Sequence, residues 1–161
     1  MQPDLTLRAA VPADYEPIVR VVDAWWGRPI AGALQRVFLD HFFGTSLVAE
    51  RQTEGGQPRL AGFLVGFASP AHSAQAYIHF VGVDPAERGS GLGRALYERF
   101  FEGMRGDGRN VVHAVTSPVN TGSIAFHRAM GFDISDPVVG YDGPGADRVV
   151  FTLELGQPLR T

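Results

Sequence analysis

The sequence predicts an α/β fold of about seven strands and about four helices. Three observations carry this. Short runs rich in Val, Leu and Phe recur along the chain, bounded by Gly, Pro and Asp. Between them lie segments whose apolar residues return at three- and four-residue spacing. One apolar run, Tyr77 to Val83, passes through a glycine-rich turn directly into such a helical segment. No linker, repeat or low-complexity stretch interrupts the 161 residues, so 1–161 reads as a single domain with a sizeable core.

Taken in order, Leu5 to Ala9 alternates as a first strand. Pro12-Ala13-Asp14 opens a helix with Ile18, Val19 and Val22 on its apolar side, and Trp25-Trp26-Gly27-Arg28-Pro29 breaks it. A second helix is expected over Ala31 to Phe43, where Leu34, Val37, Phe38 and Phe42 keep helical spacing, with Gly44 as its stop. Ser46 to Glu50 and Leu60 to Ala68 are strands of an antiparallel hairpin about the turn Arg51 to Pro58. After the polar loop Ser69 to Gln75, the strand Ala76 to Val83 follows. The next helix starts at Gly91, has Leu92, Ala95, Leu96 and Phe100 on one face, and ends near Met104. Asn110 to Val115 is an apolar strand of the buried type. Asn120 or Thr121 caps a short helix over Ser123 to Met130, Phe132 starts a strand, and Arg148 to Leu155 is the last strand.

Composition narrows the function. Net charge is −3, from 14 basic and 17 acidic residues, which disfavours nucleic-acid binding. No apolar run reaches the length of a membrane span, and the start Met1-Gln2-Pro3-Asp4 lacks the form of a signal peptide, so no membrane partner and a cytoplasmic location are expected. The chain has no Cys, so disulfides, zinc thiolates and a cysteinyl acyl-enzyme are excluded. The histidines His41, His72, His79, His113 and His127 show no ligand-like spacing, and no metal site is expected.

The segment Val83-Asp84-Pro85-Ala86-Glu87-Arg88-Gly89-Ser90-Gly91-Leu92-Gly93-Arg94 carries the chemistry. Strand, glycine-rich turn and helix N-terminus together make an anion cradle. Glycines let backbone N–H groups converge on phosphate oxygens, and the helix dipole adds positive potential. Arg88 and Arg94 add formal charge. A P-loop requires a lysine, and the chain has none. The order Gly89, Gly91, Gly93 also fails the Gly-x-Gly-x-x-Gly spacing of dinucleotide binders. What fits is Arg/Gln-x-x-Gly-x-Gly/Ala, filled by Arg88, Gly91 and Gly93.

In that loop the chain resembles the GCN5-related N-acetyltransferase (GNAT) family. A second stretch, Asn120-Thr121-Gly122-Ser123-Ile124-Ala125-Phe126-His127 through Gly131-Phe132, is similar to the family's second signature. The element order β-α-α-β-β-β-α-β-α-β-β is also the family's. The resemblance implies a mixed, mostly antiparallel central sheet and transfer of acetyl from acetyl-CoA to a primary amine of a small molecule or peptide, by direct attack in a ternary complex. It implies no metal, and a homodimer is among the assemblies the family adopts.

The resemblance also distributes roles. Arg88, Gly89, Ser90, Gly91, Leu92, Gly93 and Arg94 would hold the pyrophosphate. Val81, Gly82 and Val83 would line the pantetheine arm, with Gly82 suited to a bulge, and a backbone N–H there would face the thioester oxygen. Such a preorganised donor contributes roughly 3 kcal/mol. Asn120 would hydrogen-bond the arm, and Ser123 and Phe126 would lie beside it. At His127 many family members carry a Tyr that protonates the leaving thiolate; an imidazolium is acidic enough for that task. An alkylamine with a pKa of about 10 costs about 4 kcal/mol to neutralise at pH 7. His79 is the best candidate base, since alternation puts it on the face of Tyr77 and Val81; Glu50 and Asp40 are weaker. Trp25, Trp26, Arg28, Phe42, Tyr141 and Asp142 are candidates for the acceptor pocket: Asp142 or Asp23 would favour a cationic amine, Arg28 a carboxylate. A competing reading keeps the fold without turnover, as an acyl-CoA-binding sensor or regulatory module; a third uses longer acyl groups or a protein N-terminus.

Overall fold

The computed structural model describes residues 4–156, and the start Met1 to Pro3, weighed above against signal peptides, lies outside them. The strands are β1 (Leu5–Ala9), β2 (Leu47–Arg51), β3 (Arg59–Ala68), β4 (Gln75–Val83), β5 (Val111–Thr116), β6 (Asp133–Ile134) and β7 (Val149–Glu154). The helices are α1 (Tyr15–Trp26), α2 (Val37–His41), α3 (Leu92–Gly106) and α4 (Thr121–Ala129). The strands form one mixed seven-stranded sheet in the order β1-β2-β3-β4-β5-β7-β6. The expected fold class and element order therefore hold.

By packing, the chain divides into two compact units: the chain up to Phe67 with Phe80–Gly103, and Ala68–His79 with the chain from Met104. In the first, β1 pairs antiparallel with β2 and β2 with β3, as the hairpin reading expects. The core beneath them is Ala10, Ile18, Val22, Leu34, Leu39, Val48, Phe63, Val65 and Phe80. Phe63 is fully buried and stacks on both Trp25 and Phe80, with centroids 6.1 and 6.0 Å apart. Truncating such a ring costs about 3–5 kcal/mol. On α3, Leu92, Leu96 and Phe100 are buried as the spacing predicts, Ala95 is half-buried, and Tyr97 and Phe101 widen the buried face.

In the second unit, β4 pairs parallel with β5 from Gln75↔Val111 to Tyr77↔His113, β5 runs antiparallel to β7 over six residue pairs, and β6 adds to β7. Phe132 and Phe151 are buried there.

Two expectations are corrected. The helix expected over 31–43 is only the five residues of α2, flanked by 3-10 turns at Ala31–Ala33 and Phe43–Thr45. Leu34 has an extended backbone (φ −104°, ψ 95°) and is buried in that form, so helical spacing misrepresents how its side chain reaches the core. Trp25 and Trp26 do not break α1 but lie in its last turn; Gly27, in the left-handed region at φ 69°, ends it. At Gly82 the neighbours come close: a Cβ there would meet Phe63 at 2.5 Å and Trp26 at 3.0 Å. The register shift seen in the hairpin falls at Ala49/Glu50.

Candidate functional site

The glycine loop is assembled from β4 outward. Asp84 caps a 3-10 turn, Pro85–Glu87, by accepting the Ala86 N–H at 2.8 Å, and Pro85 presets the first position. The chain then crosses Arg88 to Gly91 and enters α3 at Leu92. Gly89 and Gly91 have φ of 78° and 86°, where a side chain is strained, and a Cβ at either would meet nothing within 4 Å. The Ser90 N–H donates to the Glu87 carbonyl at 3.2 Å, and the Ser90 hydroxyl to the same oxygen at 2.6 Å. The N–H groups of Gly89, Gly91 and Gly93 meet no protein acceptor among the described residues. Three undirected donors beside the positive end of a 15-residue helix are charge-complementary to a diphosphate, and at Gly89 and Gly91 no protein atom crowds its approach.

The two arginines differ. Arg88 donates to the Trp25 carbonyl at 2.7 Å, in the last turn of α1. Arg94 lies one turn from Glu98, 3.6 Å away, on the exposed face of α3. On β4, Val81 and Val83 share the half-buried face with Tyr77 and His79, while Ile78, Phe80 and Gly82 are buried, the alternation expected for this strand.

In the second unit, Asn120 caps α4 by accepting the Ser123 N–H at 3.2 Å and donates to the Thr116 hydroxyl at 3.1 Å. Ser123 and Phe126 are half-buried. His127, only 6% exposed, stacks on Phe151 at 3.9 Å between centroids. Its Nδ1 is 2.8 Å from the Ser123 carbonyl, which fixes that nitrogen as the proton-bearing one. Burial pushes its pKa below the usual histidine value, against the opposing Ser123 hydrogen bond. The ring is therefore neutral at pH 7, and the imidazolium needed to protonate a thiolate is a minor form.

Most groups considered for the acceptor side are engaged elsewhere. Trp25 and Trp26 pack on Phe63 and Phe80, and Phe42 stacks on Phe67 at 4.6 Å. Asp23 accepts the N–H groups of Ile30 and Ala31, both at 2.8 Å, a cap for the turn after α1. Glu50 pairs with Arg8 at 2.7 Å, and Asp40 lies near Arg36 at 3.6 Å. Arg28 is exposed. In the other unit Asp142 pairs with Arg148 at 2.8 Å, and Tyr141 is 46% exposed.

Two features escaped the sequence reading. Burial, with the nearby Tyr141 and Asp142, pushes the Tyr77 phenol up to about 12, so it remains a proton donor across the neutral range. The available signal was its place on the His79 face of β4. The other is Glu87, buried beneath two arginines just before the loop. An acidic residue beside a glycine-rich anion loop is an electrostatic oddity that the sequence displays.

No helix among the described residues is long and apolar enough to cross a membrane, and no cluster of potential metal ligands occurs among them. A family model for the acetyltransferase (GNAT) family matches residues 15–132. An L-2,4-diaminobutyric acid acetyltransferase of Nocardia farcinica is 34% identical over 89 residues, 55% of this chain and 44% of that protein. The chain spans 27% to 44% of the length of the first three curated relatives it matches. Among solved structures, a GNAT-family chain from Desulfovibrio desulfuricans superposes with a TM-score of 0.77 at 23% identity, covering 94% of this chain and 99% of that one. A diaminobutyrate acetyltransferase from Paenibacillus lautus, solved with its substrate and coenzyme A, gives 0.71 at 17% identity, over 97% and 98% of the two chains.

Proposed function

This chain belongs to the acetyltransferase (GNAT) family, and from that premise we propose that it is an acetyl-CoA-dependent N-acetyltransferase acting on a primary amine of a small molecule or peptide. The observation that carries the reading is the set of donors at Gly89, Gly91 and Gly93, open at the N-terminus of α3 in a loop where no protein atom crowds Gly89 or Gly91. Residues 88–94 hold the pyrophosphate, and Val81 to Val83 and Asn120, Ser123 and Phe126 accompany the pantetheine arm. The co-substrate supplies an activated acetyl thioester. The chain's own part is to bind it, to polarise its carbonyl through a β4 amide and to manage protons.

For transfer, the amine nitrogen must be neutral when it bonds to the acetyl carbon, and the sulfur must end as a thiol once its bond to that carbon breaks. His79 is the proposed proton acceptor, directly or through water. Tyr77, a protonated phenol on the same face of β4, is a proposed proton source for the sulfur, a task that His127, neutral at pH 7, performs only through its minor imidazolium form. The chain works as one transferase domain on this reading. Diamino acids stand first among acceptors to test, because a curated relative and a structural neighbour carry that activity in their names.

Free-thiol release from acetyl-CoA across small amines, amino acids and peptides tests the proposal, with a Gly91→Val control. Release with at least one amine is expected. The control should lose acetyl-CoA affinity: no atom crowds that position, so the strain of a side chain at φ 86° falls on the loop's own backbone, and circular dichroism checks that the rest stays folded. Undiminished affinity in the control overturns the loop assignment, and binding without release with any amine favours the sensor reading.

A further inference from the structure

Arg51 and Arg59 stand directly opposite one another on β2 and β3. Like charges in that cross-strand position are destabilising, so an anion is needed to hold them together. Both converge on Glu87, which is 5% exposed. Its Oε1 accepts Arg51 Nε at 2.6 Å and Arg59 Nη2 at 2.9 Å; its Oε2 accepts Arg51 Nη2 at 2.6 Å. Arg59 also pairs with Asp84, the cap of the same turn. The Glu87 N–H donates to the Asp84 carbonyl at 2.8 Å, and the Glu87 carbonyl takes both the N–H and the hydroxyl of Ser90. One residue is thus anchored to two strands by its side chain and holds the centre of the glycine loop by its backbone.

We propose that Glu87 is a positioning residue for the diphosphate: clamped by Arg51 and Arg59, it fixes Ser90 and so aims the amides of Gly89, Gly91 and Gly93. This rests on the acetyl-CoA reading above. A buried ion cluster of this kind adds little net stability over a packed apolar group, so what it gives is a fixed geometry. It also resolves the presence of a carboxylate beside an anion site: both its oxygens are held by arginines on the strand side, with its charge neutralised there.

The test is calorimetric titration with two probes, CoA and pantetheine, which lacks the diphosphate. The proteins are wild type, Glu87→Gln and Arg59→Met. In Glu87→Gln the affinity for CoA should fall about tenfold, the scale of outer-shell orienting residues, with pantetheine affinity unchanged. A general loss of structure would lower both. If Glu87→Gln does not fold, Arg59→Met, which keeps the Arg51 pair, decides by the same criterion with a smaller loss. An unchanged ratio of CoA to pantetheine affinity in a folded variant overturns the inference alone. A wild-type protein that prefers CoA no more than pantetheine overturns the loop reading and this inference with it.

Discussion

The Arg88 guanidinium donates to the Trp25 carbonyl, one of the acceptors that the end of α1 leaves without a helical partner. A motif arginine, expected from the sequence to face phosphate, is therefore also a helix cap. The two uses are compatible, since one Nη2 hydrogen serves the carbonyl and the formal charge stays beside the loop.

This predicts a separable pair of effects. Arg88→Met should lower stability by about 1 kcal/mol, the net worth of one hydrogen bond, and should also weaken CoA binding. Arg88→Lys keeps the positive charge but ends one bond short of the Trp25 carbonyl, so it should recover the affinity more than the stability. Denaturant melts with CoA titrations of both variants check this. Equal affinity in wild type and Arg88→Met would remove the charge from the binding role.

A second prediction concerns His127 and pH. Burial holds its native pKa below the value of about 6.5 that an unfolded histidine shows. The unfolded chain therefore binds the proton more readily. Stability is full above 6.5, falls as pH drops through that value, and stops falling from this source below the native pKa. Against wild type, His127→Phe keeps a ring to stack on Phe151 and removes the titration. Melting temperatures between pH 7 and 5 should slope more steeply for wild type than for the variant. Parallel slopes would show that the ring is solvated enough to protonate freely in the native state.

These predictions rest on a site of which one part was far more legible than another. The glycine loop could be read from spacing, because Gly89 and Gly91 need a backbone region that other residues avoid. The face of β4 followed from simple alternation. Gly82 was harder: a glycine within a strand signals a bulge or a close neighbour alike, and the close neighbours, Phe63 and Trp26, come from distant parts of the chain. The segment 31–43 failed for a related reason. Leu34 and Leu39 are buried by tertiary contacts that short turns satisfy as well as a helix, so periodicity alone chose the wrong backbone. The partners of Glu87 were out of reach, since Arg51 and Arg59 lie 36 and 28 residues away and are brought opposite one another only by the β2–β3 hairpin.

Asn120 offers the last separation, between a cap and a ligand contact. Its Oδ1 is occupied by the Ser123 N–H and one Nδ2 hydrogen by the Thr116 hydroxyl, which leaves the second Nδ2 hydrogen for the pantetheine arm. Asn120→Asp preserves the cap, gains from the helix dipole and deletes that donor. Asn120→Ala deletes both functions and should cost about 1 kcal/mol of stability. If Asn120 holds the arm, both variants raise the KM for acetyl-CoA by a similar factor while only the alanine variant melts earlier. A KM that rises in Asn120→Ala and stays at the wild-type value in Asn120→Asp would reduce the residue to a helix cap, because the aspartate variant lacks the proposed contact yet keeps the helix in place.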